Sequence, residues 1–419
     1  FSTHYRFFLY PAAAILFVIA SKNHRYLWKK PGLWLAILVA LPGLIPILWF
    51  NLQNQFTSAN FYFSDRHPWA FQSEGLLHVF NQAAVVTPTL YLVFGLTILH
   101  LFRSSKRGEH ISLLFLCVAI LNLLTYLVLA PWTDSDSTSL HWPLSGYFVL
   151  ITFVPDCLRS CNEWLSSKWG ESTARKLILC VPLIGFAGTL IGLIGLGSQA
   201  FQSQLQPVLG PGVLSNKMAG WQEFSAHYES VLSRHFDSAD VVTLTDNYYT
   251  SAQLEFADLA PRTFNLDTRK AVNNGRDTQY RIWEQDESAI HKHAGESALF
   301  ITEDSTLTIP DKTDILSKAC SALENLVYLE QLSLFSGEKR FSFYKAEAIK
   351  SAKNPQDQLC PYPAQGWLQQ PQEGDELTGS TLLTGWVFNE GVGVKEVYLL
   401  VNGNRVSQIE YGISRPDVV

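Results

Sequence analysis

The first half of the chain is a series of apolar runs separated by short polar connections. Two short runs, Phe7–Ser21 and Pro143–Leu158, could each be a span, a re-entrant segment or a buried segment, and the second contains Asp156. Four longer runs approach the roughly 20 residues that a helix needs to cross a ~30 Å hydrocarbon layer: Leu33–Phe50, Ala83–Phe102, Ile111–Ala130 and Leu177–Leu196. We predict an α-helical polytopic membrane domain of about six spans over residues 1–199.

The charges of the connections predict an orientation. The first, third and fifth connections are rich in lysine and arginine, whereas Asn51–Gln82 has Arg66 as its only basic residue and Pro131–Trp142 has none. Basic residues are retained on the cytoplasmic side of a membrane. This alternation requires Pro143–Leu158 to cross. It predicts a multi-pass protein of the cytoplasmic (inner) membrane whose chain after Gly197 is extracytoplasmic.

After Met218 the composition becomes that of a water-facing protein. Short strand-like runs at Val241–Thr245, Thr263–Leu266, Ala298–Thr302 and Arg340–Tyr344 alternate with predicted helices at Thr250–Leu259 and Ile315–Leu332. This order predicts a small α/β domain with a partly parallel sheet over residues 200–350. A linker at 351–374, rich in proline and glutamine, precedes a β-sandwich-like module at 375–419, where Asn402-Gly403 indicates a tight hairpin.

Composition excludes several functional classes. The chain is 47% hydrophobic and 16% charged, and its net charge of −6 provides no basic footprint for nucleic acid. Cys157 and Cys161 alone make a poor metal site, and no cofactor or divalent-cation site is evident. Cys320 and Cys360 are expected to form a disulfide if their region lies in an oxidising compartment. Because the sequence starts at Phe1 and stops within a β-rich module, we interpret it as an internal fragment.

The outer connections contain the candidate chemistry. Asp65, Arg66 and His67 lie in the motif Ser64-Asp65-Arg66-His67-Pro68-Trp69, where Arg66 could bind a phosphate through both of its amino groups. An arginine that snorkels to lipid headgroups is the competing interpretation. The next outer connection supplies His141 and Trp142, and Tyr147 follows them. We predict that these six residues bind a donor phosphate or an acceptor.

Several short motifs, in order, resemble those of bacterial members of the dolichyl-phosphate-mannose protein mannosyltransferase superfamily. This group of type-C membrane glycosyltransferases includes the aminoarabinose transferase of lipid A, and the resemblance covers residues 1 to about 345. The matching pieces are Ser2-Thr3-His4-Tyr5, Pro31 to Ala36, Pro46 to Asn51, Ser58 to Phe63 with Arg66, His141 to Tyr147, and Gly275 to Tyr280 with Trp283.

The resemblance implies transfer of a sugar from a polyprenyl-phosphate donor to a lipid, glycan or protein acceptor outside the cytoplasm. It also implies a catalytic acidic residue in a loop that precedes Phe1. Arg276, Gln279, Tyr280 and Trp283 are then candidates for an acceptor surface, since planar aromatic rings suit sugar faces; packing is the competing interpretation. Two other classes stay open: a non-catalytic membrane assembly or polysaccharide-binding protein, and a transporter, which the nearly uncharged spans disfavour.

Overall fold

The structure is a computed structural model. It describes residues 5–67, 69–133, 139–210, 212–237, 241–260, 262–266, 271–272, 274–352, 364–372, 374–389 and 394–413. The chain divides into two compact units, Phe1–Ile194 and Gly195–Val419.

The first unit is helical. One helix, His78–Val86, ends at Thr87, which precedes Pro88 and has a φ of 73°; a residue before proline is disfavoured in the helical region. The principal helices are α1 Leu9–Ala20, α2 Pro31–Ala40, α3 Ile45–Gln53, α4 Thr57–Asn60, α5 His78–Val86, α6 Pro88–Lys106, α7 His110–Leu129, α8 Leu144–Ile151, α9 Val154–Trp169 and α10 Glu171–Ser198.

Among the described residues, three helical stretches are long and apolar enough to cross a membrane: Pro31–Gln53, His110–Trp132 and Glu171–Leu209. The number rises to five if two bent pairs each count as one span, namely Arg6–Ala20 with Lys22–Lys29 and Ser73–Val86 with Pro88–Lys106. The predicted segment Pro143–Leu158 is divided between α8 and α9 and is not among them. A membrane protein is therefore supported, whereas a count of six spans is not confirmed.

The helix α7 lies at the centre of the first unit and packs against α1, α6 and α8. Gly146 of α8 permits a close approach, because a Cβ there would lie 2.7 Å from Cγ of Leu123. Beside it, the Ser145 hydroxyl donates to Oδ1 of the buried Asn122 at 2.7 Å. Small residues and polar links of this kind hold helices together in lipid, where burial of apolar surface provides little driving force.

The second unit contains a five-stranded sheet of order β2-β1-β3-β6-β5. β1 pairs in parallel with both β2 and β3, whereas β6 pairs antiparallel with β3 and β5. These strands are β1 Val242–Thr245, β2 Thr263–Asn265, β3 Ala298–Glu303, β5 Val327–Leu334 and β6 Lys339–Ala346; the short pair β4 Leu323–Glu324 and β7 Ala348–Ile349 lies apart. The partly parallel sheet expected from the sequence is present.

Helices cover both faces of this sheet. Successive residues of β3 pack into separate hydrophobic clusters. Phe300 packs in a cluster with Leu316, and Leu299 packs in a cluster with Phe224 and Phe343. The first cluster includes the helix Ile309–Ala322, and the second includes the helix Trp221–His235. Further helices in the described residues of this unit include Gln202–Leu209, Tyr248–Phe256 and Asp277–Ile282.

One predicted helix is wrong. Ile315–Leu332 was expected to be helical throughout, but the helix ends at Ala322 and residues Val327–Leu334 form β5. Asn325 has a φ of 49°, which a helix does not accommodate. Pairing of β5 with β6 then outweighs the helical preference of the local sequence.

The last part of the chain forms two hairpin-like pairs. β8 Gln365–Gln370 pairs with β9 Thr384–Phe388, so the stretch predicted as a linker contains a strand. β10 Val397–Val401 pairs with β11 Asn404–Ile409 through Asn402 and Gly403, whose φ angles are 51° and 80°. Two residues with positive φ define the tight turn that was predicted there. Two separate two-stranded sheets do not establish a β-sandwich.

Cys320 is disulfide-bonded, while Cys117, Cys157, Cys161 and Cys180 are free. Cys360, the partner expected from the sequence, lies outside the described residues. Peptide mapping of unreduced protein, alkylated after denaturation of cell envelopes in detergent, should show Cys320 linked to Cys360, with the free Cys180 alkylated without reductant as the control. Cys320→Ser should lower the free energy of unfolding of this region by about 2–4 kcal/mol. Alkylation of Cys320 without reductant would contradict the oxidising location.

A buried lysine joins the hairpin of β5 and β6 to the chain before the Trp221–His235 helix. The Lys339 side chain is 1% exposed, and its Nζ donates to the carbonyl oxygens of Ala219 at 2.8 Å and Asn216 at 3.2 Å. The same atom lies 3.8 Å from the centre of the Trp221 ring. Burial lowers the pKa of Lys339 from 10.5 to about 8, against the opposing charges of Glu303 and Glu223.

This pKa predicts a stability that rises with pH. Between pH 8 and 10.5 the unfolded chain binds more protons at Lys339 than the folded domain does, so the free energy of unfolding should increase over this window. The increase should reach about 3 kcal/mol at most, since one pKa unit corresponds to about 1.4 kcal/mol. Above pH 10 buried Tyr344, whose pKa burial raises, should reverse the trend because the unfolded tyrosine ionises first.

Hydrogen exchange of β3 and β6 peptides in the full-length protein, corrected for intrinsic exchange rates, would measure this dependence between pH 7 and 9.5. Lys339→Met, which retains an unbranched side chain of similar length, should flatten the profile. An equal slope in the wild-type protein and in Lys339→Met would contradict the assignment.

Candidate functional site

Two connections of the first unit that are predicted to be extracytoplasmic lie against each other. The backbone N–H of Gln72 donates to the Pro131 carbonyl at 2.7 Å, and the side chain of Gln82 donates to the Leu140 carbonyl at 2.9 Å. Gly75 lies at the closest point, where a Cβ would be 2.4 Å from Cα of Pro131. The fold therefore joins the loop of Arg66 to the loop of Trp142, which are about 75 residues apart in sequence.

Arg66 follows an unusual turn of the backbone. Residues Phe61–Asp65 form a π-helical turn, and the N–H of Arg66 closes it on the Phe61 carbonyl at 2.7 Å. Turns of this kind are rare and occur frequently at functional sites. The guanidinium carbon lies 5.6 Å from the centre of the Phe61 ring, and Nη2 is buried with no hydrogen bond to any residue in the described ranges. Burial of a guanidinium N–H without an acceptor costs free energy. Nη2 of Arg66 is therefore suited to donate a hydrogen bond to an anionic ligand.

His67 and Trp142, predicted from separate loops, meet in the structure. His67 is 6% exposed, and its ring centre lies 5.6 Å from that of Trp142 and 5.4 Å from that of Trp69. Trp69 has a φ of 49°, and its Nε1 donates to the Phe63 carbonyl at 2.7 Å. A non-glycine residue with such a backbone conformation is found where the surroundings enforce it, often at functional sites.

Arg6 is a member of this cluster that the sequence analysis missed. Its guanidinium carbon lies 3.8 Å from the centre of the Trp142 ring, and the ring of Tyr126 lies 5.7 Å from Trp142 on centres. The available signal was a single arginine at the start of an apolar run, because charged residues there are rare and often functional. We call Arg6, His67, Tyr126 and Trp142 the Trp142 cluster.

The other residues predicted for this site have different surroundings. His141 is exposed at the end of a short turn, Ser139–His141. Tyr147 is buried in the helix core, where its ring stacks on Phe94 with centres 5.1 Å apart; this is a packing position. The side chain of Asp65 lies outside the described part of the structure.

The predicted acceptor residues lie on or next to the helix Asp277–Ile282 in the second unit. Arg276 and Gln279 are exposed, and Trp283 is 54% exposed. Tyr280 is buried instead, and its hydroxyl donates to the Tyr248 carbonyl at 2.7 Å. Burial, followed by the charge of Glu255, raises the pKa of Tyr280 to about 12. Tyr280 therefore holds the helix in place, while the other three side chains remain available at the surface.

This helix adjoins the edge where the parallel strands end. Tyr248 comes shortly after β1, and the Tyr249 hydroxyl donates to Oγ1 of Thr306, which follows β3, at 3.2 Å. The chain leaves β1 for β2 on one side and then crosses to β3 on the other. Open α/β sheets bind ligands outside the carboxyl ends of strands at such a reversal of strand order.

A carboxylate at the same edge has a structural role. Asp304 pairs with Lys312 at 2.9 Å and accepts hydrogen bonds from Thr302, Gln331 and Ser342. These contacts join β3, β5 and β6. Within the described ranges, no group of three or more His, Cys, Asp or Glu side chains could hold a metal ion.

Comparisons of the chain with protein-family models, with curated proteins and with solved structures found no match.

Proposed function

We propose that this protein is a membrane glycosyltransferase that moves a sugar from a polyprenyl-phosphate donor to a lipid, glycan or protein acceptor at the extracytoplasmic face. The observation that carries the proposal is the buried Nη2 of Arg66, which makes no hydrogen bond within the described structure and lies in the loop that meets the Trp142 loop. A guanidinium in such a place matches the paired oxygens of a phosphate.

The neighbouring groups fit the same chemistry. Departure of the polyprenyl phosphate leaves negative charge on its oxygens, and fixed cations stabilise that charge best where water is excluded. Arg66 supplies one cation, and Arg6 of the Trp142 cluster supplies a second. The aromatic rings of Trp142 and Trp69 provide flat apolar faces of the kind that sugar rings bind. Family resemblance in the sequence motifs supports the same reaction and assigns acceptor deprotonation to an acidic residue before Phe1.

The second unit supports an extracytoplasmic acceptor surface. Its disulfide at Cys320 is typical of an oxidising compartment. Arg276, Gln279 and Trp283 combine hydrogen-bond donors with an exposed indole beside the edge where β1 and β3 end. We infer that these three residues contact the acceptor.

A transfer assay tests the proposal. Membranes that contain the full-length protein are given radiolabelled polyprenyl-phosphate hexoses and pentoses, with nucleotide sugars as the control donor. We expect label to move to an extractable acceptor from at least one lipid-linked donor and from none of the nucleotide sugars. Absence of transfer from every lipid-linked donor, by protein with an intact Cys320 disulfide, would favour a polysaccharide-binding or assembly role.

A further inference from the structure

The segment between the last apolar helix and the α/β domain exposes apolar side chains and bonds to the domain through polar groups. The apolar stretch Glu171–Leu209 ends in the helix Gln202–Leu209, and the described residues 212–220 form turns and bends without a helix or strand. No Asp, Glu, Lys or Arg occurs between Lys176 and Lys217. Five large apolar side chains of this segment are strongly exposed: Phe201 at 60%, Val208 at 82%, Leu209 at 46%, Val213 at 60% and Met218 at 68%.

The polar groups of the same segment bind the turn between β5 and β6. Nε2 of Gln206 donates to the Phe335 carbonyl at 2.8 Å, and Nδ2 of Asn216 donates to the Glu338 carbonyl at 3.0 Å. The N–H of Gly212 donates to the Glu338 carboxylate. With the two bonds from Lys339 to Asn216 and Ala219, these contacts fix the segment to the α/β domain.

We propose that residues 201–210 and 212–218 form a foot that lies in the outer headgroup region of the bilayer and holds the α/β domain at the membrane surface. The foot continues directly from a helix that is long and apolar enough to cross a membrane, so its apolar side chains start at the depth of the headgroups. Segments of this kind insert one apolar side into the boundary between headgroups and acyl chains while their polar side faces protein or water.

Two features of the foot fit lipid as the occupant. The chain that carries its five strongly exposed apolar side chains has no charged residue before Lys217, which is itself exposed and can contact a lipid phosphate. The side chains of Gln206 and Asn216 are bonded to Phe335 and Glu338 of the domain, whereas the five large apolar side chains are strongly exposed. Anionic lipids should strengthen the contact through Lys217.

Photocrosslinking tests the foot in the full-length protein. p-Benzoyl-phenylalanine replaces Val208 in one variant and Met218 in a second, and Phe256 of the α/β domain, which is 89% exposed, provides the matched control. The proteins are irradiated in vesicles of dioleoyl phosphatidylcholine and phosphatidylglycerol, and adducts are identified by mass spectrometry. Folding of each variant is checked by the Cys320 disulfide.

We expect lipid adducts at positions 208 and 218 at least about ten times more often than at position 256, since benzophenone inserts into neighbouring acyl chains. Equal labelling at all three positions would overturn the proposal. Adducts of double mass, which would place a second copy of the chain against the foot, would also overturn it. The test requires no sugar transfer, so it is independent of the proposed enzymatic function.

Discussion

Replacing Arg66 with alanine is expected to lower kcat/KM for sugar transfer by about 100-fold or more, because removal of one fixed donor to a developing oxyanion typically has an effect of that size. Nη2 of Arg66 is buried and makes no hydrogen bond in the described structure, so the substitution removes a cation that has no structural partner at this atom. The helices should therefore still assemble. Transfer from a lipid-linked donor, measured at equal amounts of inserted protein, provides the test.

One further variant separates charge from geometry at this site, and a second provides a control elsewhere in the chain. Arg66→Lys retains the positive charge but not the planar pair of N–H donors, so we expect partial recovery relative to Arg66→Ala. Arg159→Ala is the matched control, since Arg159 is 73% exposed and forms a 3.8 Å ion pair with Asp156. It should leave transfer unchanged. Wild-type rates in Arg66→Ala would remove Arg66 from the site and leave it as an interfacial arginine.

Gly75→Ala is expected to disrupt the junction of the two outer connections. The added Cβ would lie 2.4 Å from Cα of Pro131 and 2.5 Å from the Ala130 carbonyl oxygen, and backbone atoms cannot rotate away as a side chain can. Overpacking costs about 1–3 kcal/mol even where side chains can adjust. We expect the free energy of unfolding to fall by that amount or more. Sugar transfer should also be lost, because the Arg66 and Trp142 loops would separate.

Matched glycine variants define the specificity of this effect. Gly32→Ala and Gly95→Ala introduce the same methyl group where no atom lies within 4 Å. Both should retain activity, and Gly95→Ala within α6 should be neutral or slightly stabilising. Thermal inactivation of transfer in membranes would compare the three variants. Gly75→Ala with a wild-type inactivation temperature would contradict the close approach of the two loops.

Contacts between residues that are far apart in sequence form this site, and such contacts cannot be predicted from local sequence patterns. The sequence identified His67 and Trp142 because each lies in one of the few polar connections between apolar segments. Nothing in the sequence shows that their rings lie 5.6 Å apart. Arg6 was missed because its partner Trp142 is on a different connection. Tyr147 was included because it follows Trp142 along the chain, and only packing against Phe94 shows that it faces the helix core.

For the membrane spans, too, the sequence predicted some features and not others. Composition locates apolar helices because lipid excludes unpaired backbone groups and charged side chains, whatever the tertiary arrangement. It does not show where a helix axis turns. Two helix pairs bend by 115° and 110°, the second of them at Thr87 before Pro88, and the chain breaks again between α8 and α9. The number of spans was therefore less predictable than their existence.

The sequence by itself determined three long apolar helices, most strands of the α/β domain and the Asn402-Gly403 turn, because burial periodicity and backbone preference act on neighbouring residues. Only the tertiary structure decided that Val327–Leu334 is a strand, since its hydrogen bonds come from β6. It also decided that Arg66 lies in a loop that touches Pro131 through Gln72 and that Lys339 is buried against Trp221. These features depend on contacts between distant residues, whose energies no local pattern encodes.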